Sequence, residues 1–73
     1  MMHRVGVVIE QAERGFYAWC PQLKGCESEG RTIEETLANI QPPIDRMLRT
    51  LTADERTAVL SRQDLTHFVE VSL

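Results

Sequence analysis

Four side chains of the types that ligate zinc occur in this sequence: His3, Cys20, Cys26 and His67. A structural zinc site needs four such ligands, but its ligand pairs usually lie closer together in sequence than these do. Nothing near either cysteine marks the orienting group of a nucleophilic site. We therefore expect no metal, and we expect two free thiols that serve as small buried hydrophobic side chains.

Acidic side chains offer a second kind of chemistry. Glu10, Glu13, Glu27 and Glu29 carry the oxygen ligands that a magnesium-dependent nuclease would need. Glu27 and Glu29 lie two residues apart, on one face of a short predicted strand, and Glu13 falls in a predicted turn. These positions are typical of solvated side chains. The scattered glycines form no phosphate-binding loop. We expect no catalytic residue and no cofactor, and hence not an enzyme.

Aromatic residues give the most informative pattern. Tyr17 and Trp19 alternate with Phe16, Ala18 and Cys20, so that both faces of this strand are apolar although only one need face a helix. Tyrosine and tryptophan are enriched at protein interfaces, but they also occur simply as core. We interpret the pair as a candidate binding surface, for another protein or for a second copy of the chain.

Three strands open the predicted fold. β-branched residues predict a largely buried strand at residues 4–11. Gly15 can adopt the positive φ of a short hairpin turn, and a second strand follows at residues 16–20. A third strand, at residues 26–29, is short and polar and ends at Gly30, so we place it at an edge of the sheet.

The main helix begins at a Thr32-x-x-Glu35 capping box. Pro42 and Pro43 remove hydrogen bonds from its middle, which predicts a kink or a short break near Gln41 without ending the helix. The apolar side chains keep one helical stripe across the prolines. This stripe consists of Ile33, Leu37, Ile40, Ile44, Met47, Leu48 and Leu51.

The remaining elements complete an α+β domain. A second capping box, from Thr52 to Glu55, predicts another short helix, and alternation over residues 67–73 predicts a last strand. The order β-β-β-α-(α)-β predicts two layers: a four-stranded, mainly antiparallel sheet with one main helix packed on one face.

Composition limits the partners. The 73 residues carry a net charge of -3 and 42% hydrophobic residues, which fits one globular domain over residues 1–73. This charge argues against a nucleic-acid partner held by a broad basic surface. No apolar stretch is long enough for a signal segment or a membrane span, so we expect a cytoplasmic protein. A core this small predicts a homo-oligomer, dimer or larger.

A long ordered pattern resembles a known family. It contains the turn glycine Gly15 and the aromatic strand after it, then Pro-x-Leu-x-Gly-Cys from Pro21 to Cys26. A polar strand with Gly-x-Thr follows, and then the glutamate-rich helix start through Asn39. Over about half the chain this order resembles the N-terminal domain of the HicB antitoxin family.

The resemblance implies a partial ribonuclease-H-like fold without the catalytic acids of that fold. HicB proteins bind the small toxin ribonuclease HicA, and many carry a C-terminal DNA-binding domain. This sequence ends directly after its last predicted strand, so we expect no direct DNA binding. It departs from the family at Pro42 and Pro43, which interrupt a usually continuous helix, and at Lys24, where proline is commoner.

Two functional hypotheses follow. In the first, the chain is an antitoxin-like module that binds and neutralises a HicA-type mRNA interferase. In the alternative, it is a stand-alone homo-oligomeric HicB-like module with a small-molecule or structural role and no toxin partner. The acidic edge formed by Glu27 and Glu29 would steer a basic toxin towards the chain. The predicted contacts are Tyr17, Trp19, Glu27, Glu29 and Arg31.

Overall fold

The structure is a computed structural model that describes residues 2–61 and 67–72. It confirms the predicted α+β class, and its described residues form four strands and two helices. These are β1 (Met2–Ala12), β2 (Gly15–Trp19), β3 (Glu27–Gly30), α1 (Ile33–Arg49), α2 (Ala53–Val59) and β4 (His67–Ser72). The predicted end of the last strand, Leu73, lies outside the described residues.

The sheet is antiparallel throughout, with the strand order β3-β2-β1-β4. The prediction that β3 forms an edge is confirmed. The long strand β1 is shared between two neighbours, since residues 2–7 pair with β4 and residues 8–12 pair with β2. This division gives a curled sheet. Glu13 and Arg14 form the hairpin turn between β1 and β2, and Gly15 has the expected positive φ, 154°.

One face of the sheet packs against α1 and forms the core. Ile40, Ile44 and Leu48 project from α1 at four-residue intervals, and all three are fully buried, as are Val5 and Val7 of β1. The helical stripe is therefore confirmed at its centre. Ile33 lies in the first turn of α1 and is 40% exposed, so the stripe is not buried at its first residue. No residue of α2 is buried.

α1 runs without interruption through Pro42 and Pro43, so the predicted alternative of a break is wrong. The two prolines lack the N–H groups that would bond to the carbonyls of Ala38 and Asn39, four residues earlier. Ala38 and Asn39 are exposed, so that water can hydrogen-bond to these carbonyls. Burial of the stripe on both sides of the prolines stabilises the continuous helix.

Both helices begin at the predicted threonines. The Thr52 box is complete: its backbone N–H donates to Glu55 Oε1 at 2.8 Å, and Glu55 N–H donates to Thr52 Oγ1 at 3.1 Å. At Thr32, one of the two hydrogen bonds of a capping box is formed: Glu35 N–H donates to Thr32 Oγ1 at 3.0 Å. Among the residues that the structure describes, no helix is both long enough and apolar enough to cross a membrane.

Candidate protein-binding surface

The sheet face opposite α1 carries a regular array of six side chains. Ala18 points into the core, and strand alternation therefore turns its neighbours Tyr17 and Trp19 to the other face. In the strand register, Trp19 lies between Val8 of β1 and Glu27 of β3, and Tyr17 lies between Glu10 and Glu29. We call these six residues the acidic aromatic face: Val8, Glu10, Tyr17, Trp19, Glu27 and Glu29.

The two aromatic rings form its centre. The ring centroids of Tyr17 and Trp19 are 5.5 Å apart and the ring planes differ by 28°, a stacked arrangement. Both residues are half-buried. Tyr17 also donates its hydroxyl hydrogen to Glu27 Oε2 at 2.7 Å. The rings therefore expose part of their apolar surface, and the hydroxyl fixes the position of one neighbouring carboxylate.

Three carboxylates surround the rings. Glu10, Glu27 and Glu29 are exposed, and none of them forms an ion pair with another described residue. The pKa of the Tyr17 phenol is raised, first because Glu27 accepts its hydrogen bond and then by desolvation and by the charges of Glu27, Glu10 and Glu29. All three carboxylates thus act electrostatically on one point of the face.

The helix α1 holds β3 in place from the opposite side. Ser28 donates its hydroxyl hydrogen to the carbonyl of Thr36 at 2.8 Å, and Asn39 Nδ2 donates to the carbonyl of Glu29 at 2.8 Å. Thr36 is fully buried. A Cβ on Gly30 would lie 2.6 Å from Thr36 N, closer than real Cβ contacts. Glycine therefore permits the close approach of β3 to α1.

Two clefts flank the acidic aromatic face. One, of about 480 Å³, lies beside Trp19 and includes Glu10, Glu27 and Lys24 in its lining. The other, of about 680 Å³, lies at the hairpin end of the sheet, where Arg31 is part of the lining. Four of the five predicted contacts therefore lie together in the array, and Arg31 lies at its margin.

Sequence reasoning assigned Glu10 to the surface but did not place it in the site. The signal that identifies it is the register of the first hairpin, because a turn at Glu13 and Arg14 sets Glu10 opposite Tyr17. Val8, which alternates with Val7, was missed in the same way. Thr36 was also missed, since a threonine in a helical segment gives no sign of complete burial.

The two thiols and His3 lie outside the acidic aromatic face. Cys20 and Cys26 are free and buried, as predicted, and burial raises the pKa of Cys20 to about 12. Cys26 Sγ lies 3.6 Å from the carbonyl oxygen of Pro43, to which it donates. His3 Nε2 is buried and has no hydrogen-bond partner in the described part of the chain. Within residues 2–61 and 67–72, no group of three potential metal ligands is found.

The fold and the site define a small α+β protein in which one helix covers one face of the sheet and an acidic aromatic array occupies the other. The chain is 45% identical over 60 residues to a UPF0150 protein of Helicobacter pylori strain J99, with 82% of each chain covered. A UPF0150 protein of Synechocystis is 36% identical over 58 residues, which span 78% of this chain and 84% of the relative. The chain belongs to the UPF0150 family.

A second Synechocystis UPF0150 protein is 38% identical over 47 residues, or 64% of this chain and 60% of the relative. No family model matches the chain. No solved structure matches it either. The names of the relatives state no activity, ligand or partner.

Proposed function

We propose that this UPF0150 protein is a HicB-like antitoxin module that binds a small HicA-type mRNA interferase and neutralises it. The observation that carries the proposal is the acidic aromatic face. Its stacked Tyr17 and Trp19 supply apolar area of the kind that anchors protein interfaces. The β-β-β-α-α-β order agrees with the fold that the HicB resemblance implies.

Charge selects the class of partner. A ribonuclease that binds messenger RNA carries basic side chains, because contacts to phosphate dominate its affinity for RNA. Glu10, Glu27 and Glu29 present the complementary charge around the aromatic centre. Such complementarity raises the association rate and excludes acidic partners. Binding at this face would cover the RNA-binding surface of the toxin, and the toxin would be neutralised by occlusion.

In this proposal the chain acts by binding alone, in the cytoplasm where messenger RNA is found. It needs no catalytic residue, no cofactor and no contact with DNA. Tyr17, Trp19, Glu27 and Glu29 contact the toxin, and Arg31 contacts it at the margin of the face.

The test is suppression of RNA cleavage by a purified HicA-type protein encoded beside this chain. We expect the wild-type chain to suppress cleavage at a stoichiometric ratio. The variant Glu27→Lys with Glu29→Lys replaces two negative charges by two positive ones, so its binding should be at least about tenfold weaker. Added salt should weaken binding of the wild type, but it should strengthen binding of the variant because salt screens repulsion.

The matched control is Glu34→Lys with Asp54→Lys, which changes the net charge equally at exposed positions on the two helices. It should retain suppression. Equal suppression by the wild type and the Glu27, Glu29 variant would contradict the assigned interface. Failure of the wild type to suppress any such ribonuclease would contradict the antitoxin function itself.

A second candidate is a stand-alone homo-oligomeric module, which the open edges of the sheet favour. β3 and β4 are terminal strands, and the outer edge of each pairs with no strand of the described residues. Strand addition at such an edge joins chains through backbone hydrogen bonds. Light scattering after size-exclusion chromatography would reveal a concentration-dependent dimer or larger oligomer. A monomer at high concentration would contradict this candidate.

A further inference from the structure

We infer that the cleft beside Trp19 is a binding site for a single cationic side chain, preferentially an arginine guanidinium presented by a basic protein partner. The inference deepens the proposed function and rests on it for the identity of the partner. The chemistry of the contact follows from the geometry of the cleft.

The cleft combines an aromatic wall with carboxylates. Tyr17 and Trp19 form the wall, and Glu10 and Glu27 are part of the same lining. Glu27 is held by the Tyr17 hydroxyl through Oε2, which leaves Oε1 of the same carboxylate available to accept further hydrogen bonds. A guanidinium can stack on an indole and donate to a carboxylate from the same planar group.

The lining of the cleft suits one long cationic side chain. The apolar part of the wall suits the methylene groups of such a side chain, and its charged end would meet the carboxylates. Arginine satisfies both requirements.

Other occupants fit the face less well. Three carboxylates repel a phosphate or a nucleic acid. A second copy of the chain docked face to face would bring Glu27 and Glu29 against their own counterparts, and like charges disfavour that pairing. A divalent metal is disfavoured because the described residues contain no group of three metal ligands.

Lys24 adds a positive charge to the lining of the cleft. It lies in the lining of the cleft and is exposed, so its ammonium group repels an incoming cation. Removal of this charge should therefore tighten binding. A structural role for Lys24 would give no such gain.

The experiment uses the full chain labelled with ¹⁵N and two peptides, acetyl-Gly-Arg-Gly-amide and its citrulline counterpart. Citrulline keeps the shape of arginine but has no charge. The chain has one tryptophan, so a single indole N–H signal reports on the cleft. We expect the arginine peptide to shift this signal saturably, and the citrulline peptide to bind about tenfold more weakly or worse.

Three variants complete the test. Glu10→Gln with Glu27→Gln should weaken binding of the arginine peptide about tenfold, whereas the control Glu34→Gln should leave it unchanged. Lys24→Gln should strengthen it about twofold. Equal binding of the two peptides, an unshifted indole signal at the solubility limit, or unchanged binding by the glutamine variant would each overturn the inference.

The outcomes separate this inference from the proposed function. If the arginine peptide binds as described but the wild-type chain suppresses no ribonuclease, the cleft stands and the antitoxin function fails. If the wild type suppresses a ribonuclease and the Glu10, Glu27 variant suppresses it equally well, the function stands and the cationic cleft is wrong.

Discussion

Replacement of Gly30 by alanine tests the junction between β3 and α1. The new Cβ would lie 2.6 Å from both N and Oγ1 of Thr36, whereas ordinary contacts begin at 3.4 Å. The strand and the helix must therefore move apart by about 0.8 Å. The hydrogen bonds from Ser28 to Thr36 and from Asn39 to Glu29, both 2.8 Å long, would stretch to about 3.6 Å, a distance at which neither is a hydrogen bond.

The cost follows from these changes. Overpacking costs about 1–3 kcal/mol and each of the two lost hydrogen bonds about 0.5–1.5 kcal/mol, so Gly30→Ala should lose about 2–6 kcal/mol. A chain of 73 residues has a free energy of unfolding of about 4–11 kcal/mol. The melting temperature followed by circular dichroism should fall by about 8 °C or more.

Gly25→Ala is the matched control. Its φ of +93° disfavours alanine, but no atom lies within 4 Å of the new Cβ, and the expected loss is about 1–2 kcal/mol. A melting temperature for Gly30→Ala within about 3 °C of the wild type would refute the close approach. Because Gly30 does not have a positive φ, a loss no larger than that of Gly25→Ala would contradict the cost assigned to the contact with Thr36.

Two further predictions concern single titrating groups. Glu27→Gln should lower the raised pKa of Tyr17 towards its ordinary value, because Glu27 is the first cause of the shift. The absorbance of the phenolate, from the only tyrosine of the chain, measures this, and an unchanged pKa would contradict the hydrogen bond to Glu27. Cys20, with a pKa of about 12, should react with iodoacetamide far more slowly in the folded than in the unfolded chain at about pH 8. Similar reaction rates in the folded and the unfolded chain would contradict the burial of Cys20. The raised pKa also means that burial of the neutral Cys20 thiol contributes to stability below the ordinary thiol pKa, and that this contribution is lost as the pH rises towards 12.

Much of this fold can be predicted from local pattern. Alternation sets Tyr17 and Trp19 on the face away from Ala18, and the stripe through Ile40 and Ile44 identifies the buried side of α1. Both signals have the period of the element that carries them, so they need no tertiary information. The edge position of β3 follows in the same way from its polar composition.

Other features depend on contacts between distant segments. The prolines of α1 predict a break only if the helix is considered alone, because packing on both sides of Pro42 and Pro43 stabilises a continuous helix. Thr36 is buried because β3 approaches it at Gly30, and Glu10 joins the site because the hairpin register sets it opposite Tyr17. The structural propensities of the individual residues do not predict these pairings.

β3 connects the stability of the fold with the composition of the site. Its backbone and Ser28 bind to α1, while Glu27 and Glu29 project to the opposite face. Because strand alternation separates the two faces, substitutions of these exposed carboxylates change the charge of the surface without changing the packing against α1. The charge of this face can therefore change at constant fold, whereas Gly30 is constrained by the contact beneath it. Within this chain, that constraint keeps the carboxylates in register with Tyr17 and Trp19.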